Sequence, residues 1–141
     1  MTAARQFTVE LLPPPSVNEA YRNVRKKGRV KTAAYKRWCD YACAAIKGRV
    51  THDERVGGKF AIAINLPKKM RGDIDNRVKG ILDALVNSSR VDDDKHMEEL
   101  HVCRRAEQEF AVVIVRPYAA ECASKELQGK ALALVSVKGV A

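Results

Sequence analysis

Two aspartates separated by one residue open the segment Asp73-Ile74-Asp75-Asn76-Arg77-Val78-Lys79, and Asp94 ends the acidic run Asp92-Asp93-Asp94 further on. Carboxylates brought within a few ångströms repel and raise each other's pKa, a cost that a divalent cation removes. Mg²⁺ takes hard oxygen ligands and keeps several waters. Beside a phosphodiester it polarises the phosphoryl oxygen and lowers the pKa of a bound water, and a neighbouring lysine neutralises charge that develops on the phosphate. Two or three aspartates on separate segments are the arrangement expected for metal-assisted phosphodiester hydrolysis. An Asp-x-Asp pair on its own also suits sugar-nucleotide and nucleotidyl transferases.

A plainer role exists for some of these groups. Residues 75–86 are predicted helical, because Val78, Ile81, Leu82, Leu85 and Val86 recur at three- and four-residue spacing. Asp73 and Asp75 flank the start of that helix, where one aspartate is worth about 1 kcal/mol as a cap. Two exceed what capping requires. On an ideal helix Asp75, Lys79 and Asp83 fall within about 80° of one another, along one edge of the apolar stripe. A salt-bridge ladder worth about 0.2–0.5 kcal/mol per pair would account for Lys79 and Asp83. It leaves Asp73 and the 92–94 run unexplained.

These acids sit in a basic chain of 141 residues, with 26 Lys+Arg against 17 Asp+Glu and a net charge of +9. The length argues for one domain, and the charge for an anionic partner, nucleic acid or an acidic membrane surface. No apolar stretch approaches the roughly 20 residues of a membrane span, and no signal-peptide pattern opens the chain. The expected setting is soluble and intracellular. Cys39, Cys43, Cys103 and Cys122 lack metal-ligand spacing with His52, His96 or His101, and are expected as reduced, packed thiols. Arg22, Arg25, Lys26, Lys27, Arg29, Lys31, Lys36 and Arg37 follow one another with no acid between Glu19 and Asp40. Either they form a solvated surface or they track phosphates, with Tyr21 and Tyr35 interleaved.

The elements that must position these groups are legible from periodicity. Residues 6–11 and 59–66 alternate as strands, and residues 97–105 and 109–116 read as two more, joined by a tight turn near Ala106-Glu107-Gln108. The second of these last two has two apolar faces, as a central strand would. Ser16 to about Lys31 reads as a long loop. Residues 32–47 form an amphipathic helix on Ala34, Trp38, Tyr41, Ala45 and Ile46. The order β-α-β-α-β-β predicts an α+β domain, a mixed β-sheet with helices packed on it. Residues 119–141 have weak helical, then apolar character and stand apart as a C-terminal tail.

The combination Pro14-Pro15-Ser16-Val17-Asn18, Tyr21-Arg22, Asp73-Ile74-Asp75-Asn76, Lys79, Asp83-Ala84-Leu85, Asp93-Asp94 and Glu99-Leu100 resembles the RusA-type Holliday junction resolvases, small nucleases often carried by phages and prophages. The resemblance covers about residues 6–117, within a nuclease domain spanning 1–118. It implies a cytoplasmic homodimer, bacterial or phage-encoded, whose two Mg²⁺-dependent sites place paired symmetric nicks across a four-way DNA junction in recombination and repair. It further implies that Asp73, Asp75 and Asp94 hold the metal and that Lys79 is the essential basic residue. Register with Leu100 and its strand favours Asp94; a one-residue slip would make Asp93 the third ligand. Arg22, Arg25, Lys26, Lys27, Arg29 and Lys31 are the expected DNA-binding residues. A non-catalytic DNA-binding protein that keeps the fold is the alternative. It would gain nothing from an anionic patch beside its DNA. A transferase should carry a glycine-rich nucleotide loop, and Gly57-Gly58 lacks the Lys and Ser/Thr of a phosphate cradle.

Overall fold

Large apolar side chains on alternate positions of three strands decide where the core lies. In the computed structural model, which describes residues 6–16, 19 and 21–118, strands β1 (Phe7–Leu11), β4 (Phe60–Pro67), β5 (Met97–Ala106) and β6 (Ala111–Pro117) form one mixed sheet in the order β1-β6-β4-β5. Helices α1 (Ala33–Arg49) and α2 (Val78–Asn87) supply Trp38, Ile46, Ile81 and Leu85 to the same core as Phe7, Phe60, Ile62, Ile64 and Val113. The described residues thus form a single α+β domain with a mixed sheet, as expected. Strand β4 is buried along its whole length. Its large residues face the helices, while Ala61 and Ala63 join Ile114 in a smaller cluster on the other face.

β4 and β5 are parallel, and the chain between them crosses back through α2. That crossover carries Asp73, Asp75 and Lys79 on its way out and Asp92–Asp94 on its return.

The structure corrects four expectations. Ser16–Lys31 is not one long loop: Tyr21–Val24 (β2) and Gly28–Lys31 (β3) pair as an antiparallel hairpin with Arg25, Lys26 and Lys27 in its turn. Its strands are too short and polar to show a period of two. Strands β5 and β6 do not pair with each other, because β6 inserts between β1 and β4 while β5 takes the far edge. The short connection therefore bridges across the end of β4. The buried stripe of α1 is Tyr35, Trp38, Ala42 and Ile46, one residue away from the expected Ala34 and Tyr41. Finally, the α-helix starts at Val78 rather than at 75, and Ile74–Arg77 form a 3-10 turn before it.

Helix α2 lies unusually close to the proline loop after β1. A Cβ on Gly80 would stand 2.7 Å from Cβ of Pro14. Helix propensity alone would make Gly80→Ala stabilising by about 1 kcal/mol. Overpacking against a rigid proline ring costs about 1–3 kcal/mol. The expected result is a net loss read as a lower Tm, and an unchanged or higher Tm would show that the loop gives way.

Candidate active site

The approach to the acidic segment is held by two arginines. Arg77 donates from Nη1 to the Pro14 carbonyl (2.6 Å) and from Nη2 to that of Arg71 (3.1 Å). Arg104, on β5, donates to the carbonyls of Met70 (3.2 Å) and Gly72 (2.8 Å). Gly72 has φ of 91°, a left-handed conformation that favours glycine, and it turns the chain into Asp73. These contacts fix the backbone of residues 70–73 between α2 and β5. No sequence signal marked Arg104. Arg77 stood inside the motif, but its carbonyl partners come from elsewhere in the chain.

Asp73 occupies the cap position of the 3-10 turn without a side-chain capping hydrogen bond, and Asp75 lies within that turn. Both are exposed, and among the described residues neither carboxylate has a hydrogen bond or ion pair. The capping role is therefore not filled by Asp73. Of the cations close in sequence, Arg77 is committed to backbone carbonyls and Lys79 to Asp83 at 3.4 Å, and the exposed Arg71 side chain makes no ion pair with either carboxylate. Of the expected ladder only the Lys79–Asp83 rung forms.

The acidic run divides its labour. Asp92 accepts a hydrogen bond from the Gly58 N–H (2.9 Å) and ties the glycine turn before β4. Asp93 caps the 3-10 turn Asp94–His96 by accepting from the Lys95 N–H (3.0 Å), which holds its carboxyl below the ordinary range. Asp94 is exposed and carries neither of those structural bonds. Its turn lies against α2, as does the turn that carries Asp75, which also touches β5. Among the described residues no three acidic, histidine or cysteine side chains gather closely enough to form a metal cage. Cys39, Cys43 and Cys103 are free thiols, and burial pushes Cys39 and Cys103 up; Cys122 lies outside the described residues.

The basic residues expected to meet DNA project from the hairpin. Arg22, Arg25, Lys26, Lys27, Arg29 and Lys31 are all exposed. Arg29 lies over the Tyr21 ring (4.7 Å) and Lys31 over the Tyr35 ring (5.7 Å), contacts that order the two cations without neutralising them. Tyr21 in turn packs on Tyr35, with centroids 5.6 Å apart, and so docks the hairpin on α1.

Comparison with protein families matches residues 11–116 to the endodeoxyribonuclease RusA model, from the last residue of β1 through every following element into β6. The chain belongs to the RusA family. RusA proteins are endodeoxyribonucleases, hydrolases that resolve Holliday junctions, and this chain is such an enzyme. No curated protein matches it. The RusA match takes in Asp73, Asp75, Lys79, Asp94 and the whole hairpin, and it ends before the tail at 119–141, which lies outside the described residues. No described helix is long and apolar enough to cross a membrane.

Replacing Lys26, Lys27 and Arg29 together by alanine is expected to weaken junction binding and reduce the slope of log K against log salt by up to about three units. A titration series across salt concentrations measures this. An unchanged slope would make the hairpin a solvated surface only.

Proposed function

We propose that this RusA enzyme is a Mg²⁺-dependent resolvase that acts as a cytoplasmic homodimer and places paired symmetric nicks in a four-way junction. The observation that carries the metal reading is the pair Asp73 and Asp75: exposed carboxylates at the cap and inside one 3-10 turn, neither neutralised by a described cation although Arg71, Arg77 and Lys79 are close in sequence. Oxygen-only donors open to solvent suit Mg²⁺, which is usually held by one or two carboxylates together with substrate phosphates rather than by an all-protein cage. Asp73 and Asp75 would hold the ion together with substrate phosphates, and Asp94, whose turn lies against the same helix, would add a third oxygen although the three form no preformed cage. Asp94 is favoured over Asp93 because Asp93 spends its carboxylate on the Lys95 N–H. When bound, Mg²⁺ supplies polarisation of the phosphoryl oxygen and a more acidic water.

The chain's own groups do the rest. The hairpin cations hold the phosphate backbone and set affinity. Lys79, about half exposed, presents an ammonium that neutralises charge on the scissile phosphate or the leaving oxygen. Arg77 and Arg104 hold the backbone that leads into Asp73 and Asp75 through the carbonyls of Pro14, Met70, Arg71 and Gly72.

Incubation with a synthetic mobile four-way junction and with matched duplex, with and without Mg²⁺, tests the reading. Symmetric cuts in the junction alone and only with Mg²⁺ are expected. Binding without cleavage under any metal would favour the non-catalytic alternative. Sedimentation of the free protein and of its junction complex tests the dimer, which a monomer in both would rule out.

A further inference from the structure

The Tyr35 hydroxyl donates to Asp83 Oδ2 at 2.5 Å, and the other oxygen of the same carboxylate accepts from Lys79 Nζ at 3.4 Å. The three groups come from two helices: Tyr35 from α1, Asp83 and Lys79 from successive turns of α2. Tyr35 is buried, 1% exposed, and its ring lies parallel to Trp38 (6.4 Å) and tilted against Tyr21 (5.6 Å). The hydroxyl therefore has one place to be. The Asp83 side chain is 19% exposed and Lys79 52%, so the chain of contacts runs from core to solvent.

A bare i,i+4 pair would not look like this. Lys preceding Asp is the weaker orientation on a helix, and an exposed lysine gains little from one carboxylate. A buried phenol aimed at that carboxylate has a different consequence. It fixes the rotamer of Asp83 and leaves one oxygen for the ammonium. Burial, with the adjacent carboxylate adding to it, pushes the Tyr35 hydroxyl above its ordinary range, so it stays a donor.

We infer that Asp83, held by Tyr35, is a positioning residue that aims the Lys79 ammonium at the scissile phosphate. The inference rests on the reading of Lys79 as a catalytic residue. Asp83 itself touches no DNA in this account: it acts by limiting where a long, otherwise mobile side chain points, and small displacements of a reacting group cost about 10²-fold in rate. Tyr35 also connects this aim to the hairpin, since the ring that carries the hydroxyl is the one against which Tyr21 packs.

The test is single-turnover cleavage of a four-way junction at saturating protein with Mg²⁺, using the full chain and its Asp83→Asn, Tyr35→Phe, Lys79→Ala and Lys79→Ala/Asp83→Asn variants. Asn at 83 keeps an acceptor for the tyrosine but loses the charge that holds the lysine. Asp83→Asn and Tyr35→Phe are each expected to slow cleavage by about 10- to 100-fold, the range for groups that orient a reacting ligand. Junction Kd should stay within about twofold, since affinity rests on other cations. In the Lys79→Ala background Asp83→Asn should slow cleavage by less than about threefold further, because a residue that acts through another has nothing left to act on. Full additivity in the double variant would overturn the inference, as would parental rates in Asp83→Asn while Lys79→Ala is slow. A parental rate in Lys79→Ala would instead overturn the role of the lysine, and the inference with it. If Tyr35→Phe lowers Tm enough to unfold the chain, the Asp83→Asn cycle decides alone.

Discussion

Asp75→Asn should reduce junction cleavage by at least about 10³-fold, the upper range for loss of one electrostatic contributor to a phosphoryl transition state. Junction affinity should hold or rise. The substitution keeps the size of the side chain and removes only the charge. Asp75 is exposed and its carboxylate has no described partner, so the fold loses nothing: surface changes of this kind stay within about ±0.5 kcal/mol. Affinity rests on the hairpin cations, and deleting a negative charge beside DNA removes a repulsion. Measured together, the cleavage rate, Kd and Tm make the outcome unambiguous. Equal rates for the variant and the parent in Mg²⁺ would remove Asp75 from the metal site.

The second large effect is expected at Lys79. Its ion pair with Asp83 is exposed at the lysine end and half-buried at the aspartate, so losing it costs the fold no more than about 1 kcal/mol. Asp83 keeps its bond from Tyr35 when the lysine is gone, so Lys79→Ala should leave Tm almost unchanged. If the ammonium neutralises charge in the reaction, the loss falls on the chemical step, by about 10²–10³-fold or ~3–4 kcal/mol. Single-turnover kinetics at saturating protein isolates that step from binding and product release. A rate within threefold of the parent, with the salt bridge simply lost, would return Lys79 to a surface role. Lys79→Arg should recover only part of the activity, because a broad planar fork does not occupy the place of a compact ammonium.

The helices and sheet strands were legible because each carries its own period. Phe60, Ile62 and Ile64 announce β4, and Ile81, Leu82 and Leu85 announce α2. The hairpin was not, since Tyr21–Val24 and Gly28–Lys31 bury little and are held by pairing and by Tyr21 against Tyr35. The one-residue error in the stripe of α1 has the same origin. Tyr35 is amphipathic: its ring packs on Trp38 and Tyr21 while Asp83 satisfies its hydroxyl, whereas Tyr41 stays at the surface.

Residue type and spacing along the chain were enough to establish the chemistry available here: hard anionic oxygens, a lysine one helical turn on, and a basic stretch for phosphates. They could do so because those signals are local, and because the motif set as a whole is shared with the RusA family. Which aspartates the fold itself ties up was decided by the turns and contacts that form around them. Asp92 is taken by Gly58 and Asp93 by its own turn, while Asp73 and Asp75 are left without a partner. The arginines that hold their loop find carbonyls from Pro14 and Gly72. Tyr35 finds Asp83 across 48 residues of chain. Hydrogen bonds of that kind depend on where packing brings two backbones together, and no period in the sequence records it.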